Sequence, residues 1–172
     1  SFSLRCQSPM LLTRGRSSEA VPELLMCYAD LLRFFGIGRA QTQSAFEHDQ
    51  VLEWTGRDGT AYWSRGDRGL LLVLANLAPA KTQGALRIAK PAALGLSPRK
   101  RYLLYRPDQG RLAGDGPVLG CEVRSFALSL RPYQPALFLI TPCAGRPQVL
   151  WATGSDGIGD EHYDRRARQL SF

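Results

Sequence analysis

Two hydrophobic periods divide the chain. Over residues 18–36, SEAVPELLMCYADLLRFFG, Leu24, Tyr28, Leu31 and Phe35 recur at helical spacing with Leu25 and Leu32 beside them, a broad apolar stripe that predicts an amphipathic helix packed on a sheet or a missing neighbour. Ser18 can cap it, Glu19 suits its positive first turn, Pro22 falls where early backbone donors have no helical partner, and Gly36 offers a left-handed stop. From residue 50 the period shortens to two, which predicts short strands separated by Gly, Pro and Asp turns. VLEWTGRDGTAYWS (51–64) is a hairpin candidate, because Asp58-Gly59 tolerates the positive φ angles of a tight turn and would set Trp54 opposite Trp63. GLLLVLANL (69–77) is apolar without a break, the pattern of a central strand covered on both faces. TQGALRI (82–88), RKRYLLYR (99–106), EVRSFALSL (122–130), PALFLIT (135–141) and QVLWAT (148–153) follow as further strands. Strands so spaced, with no helical segment between them, predict an antiparallel β-sandwich of Greek-key type, or a barrel, over residues 50–172, behind a helical segment or linker at 1–49.

Within the sandwich, LGLSPRKRYLLYRPDQGRL (94–112) reads as turn, strand, turn. Tyr102, Leu104 and Leu112 are expected in the core, with Lys100, Arg101 and Arg106 facing water or a rim. ARQLSF (167–172) alternates in the same way up to the final residue, and the opening SFSLRCQ has neither a methionine nor the pattern of a leader. Both ends are therefore expected to be processed or cut from a longer polypeptide.

Composition narrows the classes. A chain of 172 residues with 44% hydrophobic and 22% charged residues suits one soluble core, and no apolar run approaches the roughly 20 residues that cross a bilayer. The net charge of +7 invites nucleic acid, but the arginines are scattered singly apart from PRKR (98–101) and DRRAR (164–168), which reads as a solvated basic surface. Cys6, Cys27, Cys121 and Cys143 lie far apart, with no C-x-x-C or paired histidines. They are expected as buried thiols, a Cys121–Cys143 disulfide being geometrically open across neighbouring strands, and structural zinc is not expected.

Candidate chemistry is sparse. No G-x-S-x-G elbow occurs, and the G-x-G of FFGIGRAQ (34–41) follows a helix rather than opening one, so neither a serine nucleophile nor a phosphate cradle is indicated. No cofactor is expected. Asp156, Asp160, Glu161 and Asp164 in GSDGIGDEHYD are weak calcium candidates without EF-hand spacing, in what reads first as a solvated Gly-rich loop; His162 within it has no identifiable partner nucleophile. RGD at 65–67 reads as a polar turn. Trp54 and Trp63 are the better binding candidates, since indole faces exposed on a sheet stack on sugar rings, although a cross-strand aromatic pair also stabilises a hairpin by packing alone.

The order of elements from Arg68 to Leu150 resembles the C-terminal β-sandwich that follows the catalytic barrel in glycoside hydrolases of the α-galactosidase-like clan. The resemblance rests on an apolar strand ending in an asparagine turn (LLLVLANLAP), LGLSPRKRY at 94–102, the turn region YRPDQGRL, LSLRPYQPALFLITP at 128–142 and GRPQVLWAT at 145–153. It implies a non-catalytic accessory domain that packs on a barrel of the same polypeptide and borders its sugar site. Both carboxyl groups of glycoside hydrolysis would come from that barrel, so no catalytic residue is expected in this chain. A freestanding oligosaccharide-binding module using Trp54 and Trp63 is the alternative, and a hydrolase built on the acidic loop a third reading.

Overall fold

The computed structural model describes residues 41–42, 51–66, 68–148, 150, 162–164 and 169–171. Its strands are β1 (Gln41–Thr42), β2 (Leu52–Trp54), β3 (Gly59–Gly66), β4 (Gly69–Asn76), β5 (Thr82–Ile88), β6 (Arg101–Arg106), β7 (Arg111–Leu112), β8 (Val118–Leu119), β9 (Ser125–Leu130), β10 (Pro135–Pro142), β11 (His162–Asp164) and β12 (Gln169–Ser171). All pairings are antiparallel. One sheet runs β1-β3-β4-β10-β6-β7 with β8 also on β6, a second runs β2-β5-β9, and β11 pairs with β12. The helix expected over 18–36 lies outside the described residues.

The two larger sheets share one core, and alternation decides what enters it. On β4, Leu70, Leu72 and Leu74 point inward opposite Ile140, Phe138 and Ala136 of β10, and all six belong to one buried cluster with Leu86 and Ile88 of β5, Leu130 of β9 and Tyr102 of β6. Each such aliphatic side chain contributes about 1.5–3 kcal/mol by leaving water. The alternate residues Leu71, Val73 and Leu139 face away from the second sheet and are buried as well. The unbroken apolar run at 69–77 therefore reports burial on both faces, as its pattern predicts.

The expected hairpin at 51–64 is not formed. Asp58 has the positive φ, 54°, but the chain uses it to leave one sheet for the other: β2 pairs with β5 and β3 with β4. The crossing is held from β5, where the Thr82 hydroxyl donates to Arg57 O at 2.9 Å and Ala85 N–H to Thr55 Oγ1 at 2.8 Å. The hairpin lies one element later, where Gly66 pairs with Gly69 across the SRGDRG turn.

Four further expectations are corrected. Leu112 is exposed, because β7 is a two-residue edge. Arg106 is buried: it shares the parity of Tyr102 and Leu104 and so points between the sheets, where a carboxylate and an aromatic ring accommodate its charge. Cys121 and Cys143 are free thiols, one exposed and the other half-buried. Gln148 and Leu150, expected to open a strand, are not in one. Gln148 instead accepts from Ala144 N–H at 2.9 Å and donates to Pro142 O at 3.2 Å, closing the turn after β10.

Candidate functional site

The crossing at Asp58-Gly59 separates the two tryptophans that a hairpin would have set side by side. Trp63 sits on β3 opposite Leu72 and is 5% exposed within the inter-sheet core, its indole Nε1–H without an acceptor. Trp54 is on β2, half-buried, and donates from Nε1 to Arg57 O at 3.4 Å. Its indole occupies space that only glycine leaves open: a Cβ on Gly59 would lie 2.6 Å from Trp54 Cδ1, and one on Gly84 2.9 Å from the far edge of the ring. Both rings are thus engaged in packing, on different sheets. Asp156, Asp160 and Glu161 fall outside the described residues. His162 and Asp164 are backbone partners of Ser171 and Gln169.

Two other places concentrate unusual side chains. At one end of the sandwich, the carboxamide of Asn76, 1% exposed, donates to Ala80 O and Arg131 O, each at 2.8 Å, and accepts from Ala78 N–H at 3.0 Å. It ties the β4–β5 turn to the β9–β10 turn. These turns hold out Leu77, 55% exposed, and Tyr133, 67% exposed. Tyr133 has φ of 56° in a turn closed by Gln134 N–H to Arg131 O at 3.2 Å, a conformation that costs a residue with a Cβ about 1–2 kcal/mol. An exposed ring held at that cost is a candidate contact residue. A signal for it exists in the sequence, since R-P-Y-Q places proline at the second turn position and a bulky residue at the third, where glycine or asparagine is usual.

The second place is an open cleft of about 460 Å³ between the β6–β7 hairpin and β9. Its floor is Phe126 and Phe138, with ring centroids 4.4 Å apart and planes tilted by 31°. The Arg106 guanidinium lies 4.5 Å above Phe138 and grips Asp108 with two bonds, Nε–H to Oδ1 at 2.9 Å and Nη2–H to Oδ2 at 2.5 Å. The opposite wall carries Arg111 and Asp115. Among the described residues lining this cleft, Asp115 is the one carboxylate, whereas glycosidic bond cleavage ordinarily takes two carboxyl groups set across the sugar.

No family model matches the chain, and no curated protein matches it. Among solved structures, it is similar to a glycoside hydrolase family 27 β-L-arabinopyranosidase from Geobacillus stearothermophilus, with a TM-score of 0.54 and 15% identity over 86% of this chain. The chain spans 30% of the length of that enzyme. At this identity the likeness is one of fold: two antiparallel sheets arranged as in part of a family 27 glycoside hydrolase.

Proposed function

We propose that the chain is a non-catalytic accessory β-sandwich of a glycoside hydrolase resembling the α-galactosidase clan, docked on a catalytic barrel of the same polypeptide. The observation that carries this reading is the fold likeness, which takes in 86% of this chain and under a third of the arabinopyranosidase. The lone carboxylate in the cleft supports it, since the pair that cleaves a sugar bond would have to stand elsewhere. Leu77 and Tyr133, fixed by Asn76, are the apolar contact that such a domain would offer to a neighbour. A freestanding oligosaccharide-binding module built on Trp54 and Trp63 is less well supported, because neither ring presents a free face beside the other.

The purified chain, incubated with aryl α-galactosides and aryl β-L-arabinopyranosides, is expected to show no turnover above buffer. The surrounding reading frame is expected to encode several hundred residues of alternating strands and helices. Turnover that copurifies with the chain, or a frame without a barrel, would overturn the proposal. Titration with oligosaccharides should leave tryptophan fluorescence without a saturable change.

A further inference from the structure

We infer that the open edge of β9 takes up an extended acidic peptide as a fourth strand of the β2-β5-β9 sheet. This is independent of the accessory-domain reading. Among the described strands, the other sheet edges are short: β1, β7 and β8 have two residues each, and β2, β11 and β12 three. Short edges are one of the ways proteins avoid unwanted pairing. β9 has six residues, SFALSL, with no charge and no proline, and among the described strands it pairs with β5 alone.

Its unused backbone groups follow from the ladder. Ala85 on β5 turns both of its groups toward the β2 side, donating N–H to Thr55 Oγ1 at 2.8 Å and accepting Thr55 N–H at 3.1 Å. Ala127, directly opposite Ala85, therefore sits at a non-hydrogen-bonded position of the β5–β9 pair and aims its N–H and C=O away from β5. By the same alternation so do Ser125 and Ser129, and all three residues are exposed. The bond from Ile88 N–H to Arg124 O at 2.8 Å agrees in phase. A row of outward donors and acceptors of this kind is a template for strand addition.

The surroundings select the guest. Phe126 and Leu128 line the cleft from β9, so alternate side chains of an added strand enter it and meet Arg111. Arg111 donates Nε–H to the neutral Gln109 amide at 3.0 Å, and Arg124 donates to Cys121 O at 2.7 Å, acceptors that carry no counter-charge. Arg131 stands exposed at the other end of β9. Against these three cations stand two carboxylates, Asp115 in the cleft and the exposed Glu122 two residues from Arg124. Backbone pairing supplies affinity to such a complex, and the charge excess supplies discrimination.

The test titrates the ¹⁵N-labelled chain with acetyl-EVEVEV-amide, with KVKVKV as the opposite charge, and with two EVEVEV forms N-methylated at alternate residues. The acidic peptide is expected to shift the amides of Ser125, Ala127 and Ser129 saturably and to slow their hydrogen exchange at least tenfold. One methylated form should lose binding and the other keep it, as only a strand pairing along one edge requires. Ala127→Pro removes an outward N–H without touching the β5 ladder and should weaken binding at least tenfold. Arg111→Glu should weaken EVEVEV several-fold and favour KVKVKV. The inference is overturned by no shift at millimolar peptide, by both methylated forms binding alike, or by equal binding of the basic peptide. It is equally overturned if the same amides become protected by dimerisation without peptide, since a second copy then occupies the edge.

Discussion

The carboxamide of Asn76 satisfies three backbone groups from two turns while nearly sealed from water. Asn76→Ala is expected to cost about 2–4 kcal/mol, since buried carbonyls lose their donors, and to lower the urea midpoint at an unchanged slope. Asn76→Asp should cost at least as much, because a carboxylate oxygen would then face the carbonyls of Ala80 and Arg131. Arg106 and Asp108 form a second inward knot, with side chains 10% and 14% exposed and Asp108 Oδ1 also accepting Leu137 N–H at 3.3 Å. Asp108→Asn leaves a buried cation without its counter-charge, for which a loss of about 3 kcal/mol is expected. Adding Arg106→Met should recover part of that loss, and a double variant as unstable as the single one would show that the charge is not the cause. Arg106 also shows where residue type misleads: the period of two in RYLLYR places it with Tyr102 and Leu104, and the preference of arginine for water argues the other way. The nearby Asp108, two residues on, decides for the interior.

At the level of elements, the strands that were legible are those whose pattern admits one reading. TQGALRI alternates and forms β5 over the residues expected, and the apolar runs at 69–77 and 135–141 match β4 and β10 to within a residue. The segment 51–64 departs from the expected hairpin because a positive φ at Asp58 identifies a turn without identifying which strands it joins. The contacts that send β2 to β5 come from Thr82 and Ala85, some 25–30 residues away in sequence. The same departure places Trp54 and Trp63 on different sheets, while Tyr133 lies in a run whose pattern signals only its strand. Tyr133→Asn is expected to stabilise the isolated chain by about 0.5–1 kcal/mol, as asparagine accepts the left-handed conformation at lower cost. This corresponds to a rise in Tm of roughly 2 °C for a chain of this size. In a polypeptide that also holds the barrel, the same substitution should lose that gain if the ring is a domain contact.

For the molecule as a whole, the β3-β4-β10 face turned away from the second sheet sets the strongest constraint. Leu71, Val73 and Leu139 are 0%, 3% and 1% exposed, yet none belongs to the inter-sheet cluster. At about 1.5–3 kcal/mol for each such side chain removed from water, baring this face would cost roughly 5 kcal/mol or more, comparable with the whole stability of an ordinary domain. The sequence of residues 18–36 carries a matching apolar stripe in Leu24, Tyr28, Leu31 and Phe35. A chain that starts at residue 41, keeping β1 and all that follows, is expected to bind the dye ANS several-fold more than the full chain. It should also aggregate with rising concentration and melt over a broader range. Replacing Leu24, Leu31 and Phe35 together by serine in the 172-residue chain should reproduce the dye binding without shortening it. A shortened chain that stays monomeric, dark to ANS and sharp in its melt would mean that residues beyond the first forty cover the sheet.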